Sequence, residues 1–261
     1  MKEEIGVVDF SRAAKSSLKS NCEEDLKEVG KEIVDCLENI GFVYIKNHGI
    51  PQEITDNLFE IIDTFFNLPF ETKENYARKS PYSTGFFERG RELCLEFGLD
   101  LPFGTLQNMH TNICSDSNRS TLRLMHYPPI LFEIPENSAR CVEHTDNGTI
   151  TIVFQDNMGG LEVKKRNNEW VQAHPIPGTL FVNVGDMLQK FSSGRFRATP
   201  HRVIIPEEER RKRCSRKSVI FFLIPNKDVL LKPFEEPKDE TKSYETSHEY
   251  LYSRLVSTFP I

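Results

Sequence analysis

Apolar side chains recur along this chain with two periods, and the period changes near its middle. IGVVDF at 5–10 reads as a short strand. From Glu23 to Asn39, Leu26, Val29, Ile33 and Leu37 fall at helical spacing, which predicts an amphipathic helix packed on a core. GFVYIKNHGIP at 41–51 is β-branched and aromatic, a strand that ends in a turn at Asn47 to Gly49. A second helix is expected over Gln52 to Asn67, with Ile54, Leu58, Ile61, Ile62 and Phe65 on one side, stopped by Pro69. Between Phe87 and Arg119 the pattern weakens to one helix-like run, RELCLEF, and a Gly-, Asn- and Ser-containing connection.

Beyond that point the period becomes two. LRLMHYPPI at 122–130 alternates and ends on a proline pair; TITIVF at 149–154, GGLEV, EWVQA, TLFVNVGD and SVIFFLIP follow at turn-separated intervals. Short strands with Gly and Pro punctuation predict a sandwich or jelly roll. From Ser247 to Phe259, Tyr250, Leu251, Leu255 and Val256 return to helical spacing, so a last helix can fold back over an open end of that sandwich. A chain of 261 residues fits one domain. Residues 1–118 then form a mixed α/β segment packed on the core, and 119–261 the jelly-roll core with its C-terminal helix.

Composition narrows the function. No stretch approaches the ~18 apolar residues that span a bilayer, and the N-terminus lacks the apolar region of a secretory signal, so a cytoplasmic protein with no membrane segment is expected. The 6 cysteines form no CxxC pair and read as reduced thiols. A net charge of -6 argues against a nucleic-acid surface. The basic run from Arg210 to Lys217 follows Glu207, Glu208 and Glu209, and reads as a solvated loop of opposed charges rather than a nuclear signal.

The chemistry gathers in RCVEHTDNGTITIVF, from Arg140 to Phe154. Read as a strand, it puts His144 and Asp146 on one face. ATPHRV supplies His201 at the start of another strand-like run. Two imidazoles and one carboxylate that leave the other positions of a metal open are the ligand set of non-haem Fe(II) oxygenases. In RKSVIFFLIP, Arg216 and Ser218 also share a strand face, a planar cation and a hydroxyl suited to a dicarboxylate. The chain leaving His201 must reverse through the charged loop, which would bring Arg216 level with the metal. Tyr127, in HYPP, adds a phenol. His48, by contrast, reads as a histidine hydrogen-bonding its own turn. Phe154, Gln189, Phe222 and the C-terminal helix are candidates to line a substrate pocket, or equally to fill the core.

Together VVDF, GFVYIKNHGIP, HYPP, HTDNGTITIVFQD, GGLEV, GTLFVNVGDMLQKFSSG, HRV and RKSVIFF, in that order, resemble the 2-oxoglutarate and Fe(II)-dependent dioxygenases, in the isopenicillin N synthase-like branch. The resemblance covers nearly the whole chain. It implies a mainly β fold with flanking helices around a double-stranded β-helix core, and iron on His144, Asp146 and His201. It further implies 2-oxoglutarate held by Arg216, Ser218 and Tyr127, O2 as the oxidant, and hydroxylation or desaturation of a small organic substrate with release of succinate and CO2. Two other readings share these residues: an Fe(II) oxidase that does not use 2-oxoglutarate, and a non-catalytic binding module. The loop between His201 and Arg216 is longer than in the family. Between Phe87 and Leu122 the chain is shorter, lacking most of a long helix that covers the sheet, which predicts either self-association or a more open region at 85–120.

Overall fold

The computed structural model describes residues 4–16, 22–74, 104–113, 115, 118–131, 138–205, 213–235 and 242–258. The expected RELCLEF helix and residues 206–212 of the charged loop lie outside them. In chain order the elements are β1 (Gly6–Asp9), α1 (Ser11–Ser16), α2 (Cys22–Ile40), β2 (Phe42–Lys46), α3 (Gln52–Phe66), α4 (Phe70–Glu74) and α5 (Thr105–Met109). They continue with β3 (Thr121–Tyr127), β4 (Ala139–His144), β5 (Ile150–Gln155), β6 (Leu161–Lys164), β7 (Trp170–Gln172), β8 (Thr179–Val184), α6 (Asp186–Phe191), β9 (His201–Ile204), β10 (Arg216–Leu223) and α7 (Ser247–Thr258).

The strands form two sheets, a major one ordered β1-β2-β8-β5-β10-β3 and a minor one ordered β4-β9-β6-β7. Among the described residues only β1 and β2 pair in parallel, and the other ladders run antiparallel. The sheet-rich jelly-roll architecture is the one expected. Strand alternation divides the core in two. On β2, Val43 and Ile45 face outward into a cluster with Val29, Ile33 and Leu37 of α2, while Phe42 and Tyr44 face inward against Leu161, Val163 and Val203 of the minor sheet. The stripe of α2 therefore covers the outer face of the major sheet at its β1–β2 side. On β10 the outward Val219, Phe221 and Leu223 are also buried, so that strand presents no open apolar face.

Helix α2 must stop abruptly for β2 to enter the sheet. Gly41 does this at φ 74, its N–H donating to Leu37 O at 3.0 Å, and a Cβ there would lie 2.3 Å from Arg197 O. Helix α3 departs from its expected face: Thr55 and Ile62 are buried, whereas Ile54 and Ile61 are half exposed. Its contacts explain the rotation. It lies against β10 and β3, where Lys217 pairs with Asp63 at 2.6 Å and Phe66 stacks on His126, and these contacts turn the two isoleucines to solvent. The last helix starts in a capping box, Thr246 and Glu249 bonding each other's backbone N–H. Tyr250 and Leu251 pack it on Met187, Phe191 and Ile224, closing one end of the sandwich. No described helix is long and apolar enough to cross a membrane.

Candidate active site

Between the sheets lies a cavity of about 100 Å³, lined by inward residues of β3, β5, β8 and β10 on one side and of β4, β6 and β9 on the other. All six residues singled out from the sequence face it: His144, Asp146 and His201 at one end, Arg216, Ser218 and Tyr127 at the other.

At the first end, Asp146 Oδ1 lies 3.6 Å from His144 Nε2 and 3.7 Å from His201 Nε2. The three ligand atoms fall within 4.8 Å of one another. The route to this convergence differs from the expected strand face. Strand β4 ends at His144, and Asp146 stands in the loop that follows. That loop is pinned by backbone bonds: Asp186 N–H donates to Asp146 O at 2.7 Å, Gly185 N–H to Thr149 O, and Thr149 N–H to Leu223 O. Gly148 and Gly185 permit the close approach, since a Cβ on either would meet backbone oxygen at 2.3 Å.

Hydrogen bonds then orient the three donors. Asn183 Nδ2 donates to Asp146 Oδ2 at 2.7 Å, leaving Oδ1 for a cation. The Nδ1 of His144 meets Val142 O at 2.8 Å and that of His201 meets Thr199 O at 3.1 Å. A carbonyl can only accept, so each Nδ1 carries a proton and each Nε2 faces the shared centre, where on His144 a metal would displace a second proton. Burial lowers the pKa of His201. Burial also works against the charged form of His144, but Cys141, the Val142 carbonyl and Asp146 outweigh it and raise that pKa to about 9. The donor set fits a divalent metal that keeps open positions.

At the other end, Arg216 is 4% exposed. Its Nε donates to Gly159 O at 2.8 Å, and its Nη atoms approach Ser218 Oγ and Gln155 Oε1 at 3.4 Å each. The Tyr127 ring lies 5.4 Å from its guanidinium carbon. Burial lowers the arginine's pKa and raises that of Tyr127. A buried guanidinium whose hydrogen-bond partners are neutral, and which Asp156 supports only through space, is suited to an anion, because burying a charge without a directly bonded counter-charge is costly.

The remaining candidates fall elsewhere. Phe154 packs in the outer core, edge-on to His48 at 5.6 Å. His48 Nδ1 accepts from Ile50 N–H at 3.2 Å, the turn bond expected of it. Gln189 Oε1 accepts from Ala198 N–H, a structural role, and α7 packs on the end cluster outside the cavity. Phe222 does line it. Sequence reasoning missed Asn183, Thr151, Cys141 and Arg123. The first two carried a signal, a polar residue at an inward position of an otherwise apolar strand.

A jelly roll with two histidines and an aspartate converging beside a buried arginine defines a non-haem iron oxygenase. Comparison sharpens this. Residues 118–225 match the 2OG-Fe(II) oxygenase superfamily, and residues 5–95 match the N-terminal region described as non-haem dioxygenase in morphine synthesis. A UPF0676 protein of Schizosaccharomyces pombe is 30% identical, over 91% of this chain and 90% of its own length. A 2-oxoglutarate-Fe(II) type oxidoreductase of Metarhizium rileyi is 28% identical over 88% of this chain and 85% of that one. A full-length Neurospora crassa protein crystallised with α-ketoglutarate superposes with a TM-score of 0.81 at 25% identity, covering 97% of this chain and 96% of the other. The chain belongs to the 2-oxoglutarate and Fe(II)-dependent oxygenase superfamily, and is an oxidoreductase that uses Fe(II), 2-oxoglutarate and O2.

Proposed function

We propose that His144, Asp146 and His201 hold the iron, that Arg216, Ser218 and Tyr127 hold the far carboxylate of 2-oxoglutarate, and that the enzyme hydroxylates or desaturates a small organic substrate. The observation that carries this reading is Arg216, buried, with neutral hydrogen-bond partners, and facing the same cavity as the triad. When bound, iron would activate O2, the oxidant, which takes two electrons from 2-oxoglutarate as that is oxidatively decarboxylated to succinate and CO2 and two from the substrate.

The protein's own contribution is positioning. Asn183 fixes the Asp146 carboxylate, and the Val142 and Thr199 carbonyls hold both imidazoles in the tautomer that presents Nε2. Arg216 and Ser218 give a dicarboxylate one orientation along the cavity, so its keto end meets the triad. Phe42, Val153, Phe181 and Ile220 line the space between and keep water from it. Unpaired thiols at Cys36, Cys141 and Cys214 and the use of Fe(II) suit a reducing, cytoplasmic setting. Self-association that covers the sheet where the 87–122 region is short is part of this proposal; sedimentation tests it.

The assay is succinate formation from 2-oxoglutarate in air, with Fe(II) and no added substrate. Slow uncoupled succinate release by the parent protein, lost in Asp146→Ala together with its iron, is the expected result. Equal succinate with and without Asp146 would refute the site.

A further inference from the structure

On β5 the side chains alternate between two environments. Ile150, Ile152 and Phe154 pack in the outer core, while Thr151 and Val153 turn inward and line the cavity. Strand register places Thr151 opposite Asn183 of β8 on one side and Phe222 of β10 on the other. Asn183 is the residue that holds Asp146, so Thr151 stands one strand, about 4.8 Å, from the support of the triad. At the next inward position Val153 lies opposite Phe181 and Ile220.

Thr151 is 2% exposed, and its Oγ1 is buried without a hydrogen-bond partner among the described residues. Thr149, two residues earlier and as deeply buried, shows the contrast: its Oγ1 donates to Leu223 O at 3.0 Å and meets His110 Nε2 at 3.1 Å. A hydroxyl withdrawn from water is normally paired, so the partner of Thr151 is to be sought in the cavity it lines. Its hydroxyl and methyl share one Cβ on the cavity side, and a rotation about χ1 brings Oγ1 to a group that enters. The neighbours fix the kind of group. Phe222, Val153, Phe181 and Ile220 are apolar and Asn183 is an amide, so an ionised group beside Thr151 would be buried without a counter-charge among them. A neutral oxygen escapes that cost, and the carbon body behind it would lie along an apolar wall.

We propose that Thr151 orients the substrate: its hydroxyl bonds a neutral carbonyl or hydroxyl oxygen of a small molecule whose body is apolar. The inference rests on the functional reading above and deepens it. Arg216 and Ser218 set the direction of the oxoacid at one end of β10, and Thr151, on the adjoining strand, sets that of the substrate beside the triad.

The test is anaerobic fluorine NMR with two probes of nearly equal shape, 4-fluorophenol and 4-fluorotoluene, and an ionised third, 4-fluorobenzoate. Each is titrated into the Fe(II)·2-oxoglutarate complex and into the metal-free protein. In the Fe(II) complex the paramagnetic metal should broaden the signal of bound 4-fluorophenol, which marks binding in this cavity rather than elsewhere. The same complex should bind 4-fluorobenzoate about tenfold more weakly or worse. Thr151→Val should weaken 4-fluorophenol by about three- to tenfold and leave 4-fluorotoluene unchanged or tighter, because a methyl replaces the unpaired hydroxyl. Thr151→Ser should keep the parental affinity for 4-fluorophenol, and both variants should bind 2-oxoglutarate as the parent does. Metal-free Thr151→Val should melt no lower than the metal-free parent. The proposal is overturned if the parent does not bind 4-fluorophenol, if Thr151→Val binds it equally well, if both neutral probes weaken alike, or if 4-fluorobenzoate binds more tightly. A loss of 2-oxoglutarate affinity in Thr151→Val would also overturn it, by giving the hydroxyl to the co-substrate. If 2-oxoglutarate fails to bind at all, the functional reading falls, and the metal-free titration still decides the role of Thr151.

Discussion

The two ends of the cavity are held by different means. The Arg216 end is made of strands: Arg216 stands opposite Tyr127, and Ser218 opposite Met125 and Gln155, in unbroken antiparallel register. The triad end is made where strands stop. Strand β4 reaches His144 only after two register shifts, Asp146 stands in a loop, and Thr149, Gly185 and Asp186 tie that loop to β10 and α6. Even α7 takes part, since Tyr250 donates to Asp186 Oδ2 at 2.8 Å and Arg254 to Asn147 Oδ1 at 3.1 Å. A register-built end should tolerate changes outside its own row, whereas a loop-built end depends on distant bonds. The triad end is thus the part of the site most exposed to remote mutation.

The sharpest way to separate the ends is to remove one function from each. His144→Ala should lose iron by metal analysis, and with it all 2-oxoglutarate turnover. Arg216→Lys should bind iron as the parent does and weaken 2-oxoglutarate by about 1.5–3 kcal/mol, the scale of a lost charge-assisted bond. An Arg216→Lys protein with parental co-substrate affinity would make that arginine a structural cation. Asn183→Leu tests the dependence on support. It touches no ligand atom of the triad directly responsible for binding, yet iron affinity should fall about 10- to 100-fold, as for other groups that orient a ligand. Unchanged affinity would mean that the loop's backbone bonds suffice.

Much of this was legible in the chain. Alternation in RKSVIFFL placed Arg216 and Ser218 on one face, and the run of Leu26, Val29, Ile33 and Leu37 placed α2. What escaped reading depends on tertiary partners. Nothing in HTDNG says that β4 ends at His144, because the bonds that hold the loop come from Gly185 and Asp186, far along the chain. Nothing in TLFVNV says that Asn183 supports a carboxylate, because its partner Asp146 lies far from it along the chain. The face of α3 was misread because Ile54 and Ile61 obey helical spacing, while Asp63 and Phe66, through Lys217 and His126, set the helix's rotation.

His110 offers a smaller test of the loop-built end. Its ring bonds Leu106 O at 2.7 Å and Thr149 Oγ1 at 3.1 Å, beneath the loop that carries Asp146. Burial lowers its pKa to about 4, below the 6.5 it would have unfolded. The unfolded chain therefore takes up a proton first on acidification. The stability this histidine contributes is present above pH 6.5 and is lost as pH falls toward 4, by on the order of a few kcal/mol. Denaturant melts across that window should be steep for the parent and flatter for His110→Gln. Equal slopes would show that other groups govern the acid limb.

In the proposed site both ends of one cavity engage one oxoacid, with iron at the triad. Anaerobic addition of 2-oxoglutarate to the Fe(II) protein measures this directly. Chelation by the keto acid should produce a weak visible charge-transfer band that titrates to one equivalent, shifts to higher concentration in Arg216→Lys, and is absent in Asp146→Ala. No band in the parent protein, or a band indifferent to Arg216, would show that the two ends do not share one oxoacid.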